Sequence, residues 1–175
     1  MTNDSHQTTF ETLLSRCTES AVHLEMRDEY TPDDPVFIDW KAGVPIDPKQ
    51  RWPEWYDLIV ATIARGIVVR RARIVSEPVT DYIKYEYEVT EGLNLAAGEE
   101  VRWLPRRQAS DIALPGNDFW LFDNQLVLFN IFAGDGHWPD DGTELREEPA
   151  VVQLCARAFE SVWQRAIPHR DYRAT

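Results

Sequence analysis

The chain has 175 residues, 43% hydrophobic and 11% aromatic with seven Trp, which is too apolar for disorder and long enough to bury one core without disulfide staples. Its formal net charge is −12, so nucleic acid and anionic membranes are repelled at long range, and direct DNA binding is not expected. No run approaches the roughly 18 consecutive apolar residues of a membrane span. Cys17 and Cys155 both sit in apolar stripes, and the opening MTNDSHQTTF is polar where a signal peptide has a basic and then an apolar run. A single cytoplasmic domain covering residues 1–175 is the expectation.

The first periodic segment, residues 9 to about 27, repeats Phe10, Leu13, Leu14, Cys17, Ala21 and Leu24 at helical spacing and predicts one helix. Residues 28–53 hold Pro32, Pro35, Pro45, Pro48 and Pro53, a density that predicts an ordered Pro- and Trp-rich loop with one short extended piece at 36–40. A second helix fits 54–65, with Gly66 placed to end it. Strand 68–75 follows, then a helix from about Thr80 through Tyr82, Ile83, Glu86, Val89 and Leu93, and then the strand EEVRWLP. The stretch NDFWLFDNQLVLFNIF predicts a hairpin turning at Asp123-Asn124, residues that tolerate the left-handed backbone such turns need. Residues 133–149 predict an acidic loop, and Pro149 opens a last helix striped by Val152, Cys155, Phe159, Val162 and Trp163. The fold class is α/β (α+β): a central mixed sheet with a C-terminal-side antiparallel hairpin, flanked by about four helices and containing at least one parallel crossover.

Three arginines interrupt the strand VVRRARIV. Period-two alternation puts Val69, Arg71, Arg73 and Val75 on one face and Val68, Arg70, Ala72 and Ile74 on the other. A long Arg at a sheet edge runs its stem over apolar neighbours and leaves its head in water. Away from water it needs a carboxylate, and Asp118, Asp123, Glu77 and Glu86 are the candidates from adjoining elements. Pairing of Arg71 or Arg73 with Asp118 or Asp123 is the sharper expectation.

HLEMRDEY, DWKAG, RRARIVSEPVTDYIKYE, AGEEVRWLPR and LPGNDFWLFD together resemble an actinobacterial family of uncharacterised proteins, often encoded beside helix-turn-helix regulators. The resemblance spans nearly the whole chain and implies an association with transcriptional control, without an activity. Its pattern falls on Arg71, Arg73, Glu77, Pro78, Tyr82, Glu99, Arg102, Arg106, Asp118 and Asp123. The order strand, helix, strand, hairpin also resembles one half of a phospholipase-D-like domain. Enzymes of that class use a His nucleophile with Lys and Asp nearby, and none of His6, His23, His137 or His169 is followed two residues later by Lys.

Other chemistry fares no better. His23-Leu24-Glu25 has the His-x-Glu opening of a zinc-deaminase motif but lacks the Cys-x-x-Cys half, so His23 reads as a helix-surface residue. With Gly142 as the sixth position of a calcium loop, His137 and Pro139 fall on ligand positions, and a solvated loop is the better account. No cofactor or metal is expected. Residues 108–148 hold nine acids and one base, which is a solvated face or a surface for a basic protein partner. Trp52, Trp55 and Trp138, on or beside loops, are placed to form a binding patch. Two functions are expected. The first is a non-enzymatic regulatory or adaptor protein acting with a helix-turn-helix regulator. The alternative is a sensor of an anionic small ligand or nucleotide, or a vestigial hydrolase, with Arg71, Arg73, Arg102 and Arg106 collecting the anion, beside Glu77, Tyr82, Glu86, Asp118 and Asp123.

Overall fold

The computed structural model describes residues 3–175, with side chains from Thr9 onward. The side chains of residues 1–8, His6 among them, lie outside the described residues. The strands are β1 (Ser20–Glu25), β2 (Val68–Val75), β3 (Glu100–Pro105), β4 (Asp118–Phe122), β5 (Leu126–Asn130), β6 (Thr143–Arg146) and β7 (Ile167–Pro168). The helices are α1 (Asn3–Arg16), α2 (Pro35–Lys41), α3 (Pro48–Arg51), α4 (Pro53–Ala64), α5 (Asp81–Thr90) and α6 (Pro149–Arg165). Among the described residues the strands form one mixed sheet in the order β6-β5-β4-β1-β2-β3-β7. β1, β2 and β3 run parallel, and β4, β5, β6 and β7 join antiparallel. The mixed α+β class, the parallel crossover and the hairpin match the sequence-based expectation.

The long first helix does not exist as such. α1 stops at Arg16, and Ser20–Glu25 is instead the central strand of the sheet. Five of its six residues are buried because both faces are covered, so the strand lacks polar alternation and its apolar run imitates a helical stripe. What turns the chain there is distant in sequence. Asp123 accepts hydrogen bonds from the backbone amides of Thr18, Glu19 and Ser20 at 2.9, 2.8 and 3.0 Å and from Cys17 Sγ at 2.9 Å. Asp123 itself sits at the hairpin turn, in the three residues 123–125 between the paired Phe122 and Leu126, where it and Asn124 take the left-handed φ values of 51° and 53°.

The proline-rich segment also differs from expectation. Residues 36–40 are helical, and Pro35, Pro48 and Pro53 each stand at the start of a helix, where the missing N–H is not needed and φ is already helical. Asp34 and Asp47 cap two of them, accepting from Val36 N at 2.8 Å and Lys49 N at 3.1 Å. These prolines therefore punctuate helices. The acidic loop likewise contains β6 at the sheet edge. Gly66, at φ 87°, ends α4 as its position implied.

One face of the sheet packs on α6. Val22, Leu24, Ala72, Ile74, Leu104, Phe119, Leu121 and Val127 meet Val152, Cys155, Phe159 and Val162 in a dry cluster. The opposite face is divided. Leu14, Ile59, Val69, Trp120, Phe122 and Leu128 make one apolar cluster, while Val75, Ile83, Val101, Trp103 and Tyr172 make another. Between them lies a stretch of buried polar and charged side chains, and this is where Arg71 and Arg73 point.

Candidate functional site

The parallel register places His23 opposite Arg71 and Glu25 opposite Arg73. Two polar pairs with the same two-residue spacing thus face the same side on neighbouring strands. Glu25 bridges the arginines: Oε1 accepts from Arg71 Nη1 and Oε2 from Arg73 Nε. Arg71 Nε donates to Glu99 Oε1 at 2.8 Å, and Asn94 Nδ2 holds the other Glu99 oxygen at 2.5 Å. Asn94 lies in a π-helical turn, Glu91–Leu95, that continues α5, a widened coil of the kind found at functional sites. From α5, one turn apart, come Glu86 and Thr90. Thr90 Oγ1 accepts from Arg73 Nη1 at 2.6 Å, and Glu86 Oε1 lies 3.6 Å from Arg73 Nη2. Every member is buried; Arg71 and Arg73 are 6% and 5% exposed. The arginine heads are therefore not in water, and edge snorkelling is excluded.

Their partners are not the expected ones. Asp118 accepts instead from Tyr30 Oη and from Met26 N at 2.8 Å, and Asp123 holds the turn before β1. Of the four candidate carboxylates only Glu86 reaches an arginine of this pair. Glu77 accepts from Tyr172 Oη at 2.9 Å, and Tyr82 packs against Tyr30, Phe37 and Tyr85. Arg102 lies over Trp163 at 4.3 Å and donates to its carbonyl, on the face covered by α6. Arg106 pairs with Asp28 at 3.2 Å and donates to Ser76 Oγ at 2.9 Å. The four arginines expected to collect an anion are thus split among separate places, each with partners.

Burial and charge set the protonation states. Burial alone would raise the Glu25 carboxyl, but the Arg71 and Arg73 guanidiniums outweigh it and hold it well below the usual carboxylate range. Glu86 feels two cations, Arg73 at 3.6 Å and Arg71, and two repelling carboxylates, Glu25 and Asp118. Burial, opposed by Arg73 and reinforced by Glu25, pushes it up to about 7. Its Oε2 has no hydrogen-bond partner, which the neutral form tolerates better than the ionised one. Burial likewise lifts Asp118 to about 7, against the hydrogen bond from Tyr30 and with help from Glu25. Burial depresses His23 well below its ordinary value, outweighing the pull of Glu25, so its ring is neutral. That ring stacks on Trp120 at 4.3 Å, with Nδ1 3.3 Å from Glu25 Oε1, outside hydrogen-bond geometry, and Nε2 3.4 Å from Asn130 Nδ2.

Above this floor the face opens. A cleft of about 600 Å³ is lined by Phe10, Trp52, Trp55, Leu58, Trp120 and Trp138, with Asn130, Thr143, Arg51, Glu11 and Glu54 among its polar members. A second cavity of about 340 Å³ shares Trp52, Trp55 and Trp120 and reaches down to His23, Arg71 and Leu93. These sizes and this lining are those of small-molecule sites. Trp52, Trp55 and Trp138, taken from the sequence as a patch, come together as walls of one cleft. Trp138 is seated edge-on against Phe132 at 4.8 Å and over Gly142, where a Cβ would lie 2.8 Å from its ring. His23, Glu25, Thr90, Asn94 and Trp120 were missed as site residues, and Glu99 was singled out only through the family pattern. The readable signal was His-x-Glu beside Arg-x-Arg, complementary pairs at strand spacing, visible once residues 20–25 are a strand.

Residues 8–174 match the domain of unknown function DUF6879. The chain belongs to that family. No curated protein matches this DUF6879 chain in sequence. Among solved structures it is similar to Nuc, a phospholipase D family member from Salmonella typhimurium, at 12% identity and TM-score 0.52, covering 95% of this chain and 90% of that one. It is also similar to TrmBL2, an archaeal chromatin protein whose structure shows a novel mode of DNA binding, at 14% identity and TM-score 0.48, covering 91% of this chain and 49% of that one. At these identities the likeness to Nuc is one of fold. None of the four His of this chain is followed two residues later by Lys, and residue 25, two after His23, is the arginine-bound Glu. Among the described residues no group of three His, Cys, Asp or Glu side chains is placed to hold a metal, and no helix is long and apolar enough to cross a membrane.

Arg73→Met strands a buried carboxylate and is expected to cost about 3–5 kcal/mol of stability in denaturant unfolding; an unchanged midpoint would contradict the burial. Glu86→Gln has a pH signature. The folded chain keeps a proton on Glu86 that the unfolded chain releases above about 4.5, so stability present below that pH is lost as pH rises through about 7. His23 acts oppositely, its contribution being lost as pH falls below 6.5, so the comparison between variant and wild type isolates Glu86. The stability difference is expected to move in favour of Glu86→Gln by about 3 kcal/mol between pH 4.5 and 8, and a flat difference would place Glu86 at an ordinary value.

Proposed function

We propose that this DUF6879 chain is a non-catalytic binding module, a sensor in which the Trp-lined cleft is the recognition site. The observation that carries the reading is the meeting of two cavities at Trp52, Trp55 and Trp120 over a floor whose arginines are already held by carboxylates. Indole faces supply area at low entropic cost, and the fixed polar groups beneath supply orientation. Against catalysis stands the lack, among the described residues, of an activated nucleophile. His23 is buried, neutral and pressed on Trp120, and the floor offers no Lys or metal-ligand group beside it.

A second reading, an adaptor for a basic regulator of helix-turn-helix type, is favoured by one observation. Asp135, Asp140, Asp141, Glu144, Glu147 and Glu148 are all exposed around β6. Under that reading, association with a partner captured from the native cell weakens as the Debye length contracts from about 10 Å at 0.1 M salt to about 3 Å at 1 M. Asp140→Asn with Asp141→Asn slows association more than it speeds dissociation. An affinity indifferent to both removes acidity from the mechanism.

The sensor reading is tested by native mass spectrometry of the chain purified from its own cell. A retained small molecule is expected, and it is lost in Trp52→Ala and Trp55→Ala. Retention unaffected by both substitutions would move the site elsewhere. In parallel, bis(4-nitrophenyl) phosphate is expected to show no turnover; turnover abolished by His23→Ala would make the chain a hydrolase.

A further inference from the structure

The inner cavity has a more specific chemistry than its aromatic walls alone. Arg71 Nε and Nη1 are held by Glu99 and Glu25, whereas Nη2 has no hydrogen-bond or ion-pair partner among the described residues. Arg73 differs, its Nη1 and Nη2 being met by Thr90 and Glu86. Arg71 lines the cavity, and Nη2 is not among the fully buried atoms without a partner, so this donor faces the open space of the cavity, where a ligand acceptor can take the place of water. Around it the indoles are tilted to one another, so a flat ring can lie face-on against one and meet the edge of the other: Trp55 and Trp120 lie 6.1 Å apart with their planes at 56°, and the Arg71 head is 5.7 Å and 5.4 Å from their centroids.

Charge selects among ligands. A cation entering here meets the Arg71 guanidinium on the same wall. An anion meets a guanidinium that already has two carboxylate partners, so it adds a buried negative charge without a matching cation. A neutral acceptor incurs neither cost. We infer that the inner cavity binds a flat, uncharged heteroaromatic ring carrying a carbonyl oxygen, the ring packed face-on against one of its lining indoles, Trp52, Trp55 and Trp120, and the oxygen accepting from Arg71 Nη2. The inference rests on the cleft being the recognition site and adds the ligand's class.

Four rings of nearly one shape separate the possibilities: 4-quinolone, quinoline, quinoline-4-carboxylate and N-methylquinolinium, titrated into the full ¹⁵N-labelled chain while the indole N–H signals are followed. 4-Quinolone is expected to shift the Trp52, Trp55 and Trp120 signals and to bind at least about ten-fold more tightly than quinoline, the worth of one hydrogen bond to a charged donor. The carboxylate and the quinolinium are expected to bind no better than quinoline. Trp52→Ala is expected to weaken 4-quinolone about ten-fold, and Arg71→Lys, if it folds, to abolish the preference over quinoline. The wild-type ratio decides even if that variant does not fold. Equal binding of 4-quinolone and quinoline at these tryptophans, or a preference for either charged ring, overturns the ligand class and leaves the cleft as a binding site. If none of the four rings shifts these signals, the ligand class falls, while the cleft reading stands or falls on the molecule retained in native mass spectrometry.

Discussion

Glu25 bridges the two guanidiniums that the central strands bury, and much of the remaining architecture follows from that fork. It requires β1 and β2 to lie parallel and in a register that sets Glu25 against Arg73, because a one-residue slip would send every one of these side chains to the α6 face. It requires a second carboxylate for Arg71, supplied by Glu99 just before β3, and a hydroxyl for Arg73, supplied by Thr90 at the end of α5. The crossover between β2 and β3 therefore contributes both a covering helix and the groups that complete the coordination of the strand beneath it. Two apolar clusters, one under α1 and α4 and the other under α5, flank this polar centre and keep water from its sides.

A buried ion-pair cluster is weak evidence for stability, since desolvation offsets most of the attraction. Its value here is specification and shape. The fork fixes the register, and it presents to the cleft a floor that is rigid, mostly satisfied and nearly balanced in charge. At the edge of this floor His23 is neutral, stacked on Trp120 and 3.3 Å from Glu25. The likeness to Nuc is one of fold.

The class of fold was legible where local chemistry and tertiary context agree. The hairpin carried its own left-handed turn residues, α6 its full apolar stripe, and Gly66 its helix end. β1 was not legible as a strand because it is covered on both faces, and its residues satisfy a helical stripe as well as a strand. The prolines at 35, 48 and 53 were read as breaks although Asp34-Pro35 and Asp47-Pro48 carry the cap and first-turn chemistry of helix starts. Missing β1 concealed the site: with Glu25 placed on a helix, Arg71 and Arg73 had to seek partners at Asp118 and Asp123. The tryptophans were legible as a group from their loop positions, but their convergence with Trp120 depends on β4 lying beside β1.

The account depends on the charge state of the floor, and a carboxyl ¹³C titration of the folded chain by NMR measures it directly. Glu25 is expected to stay ionised throughout the accessible acid range, while Glu86 and Asp118 titrate near 7. Glu86 titrating close to 4.5, together with a Glu25 resonance that moves in the same range, would show two solvated carboxylates and no fork, and would contradict the account.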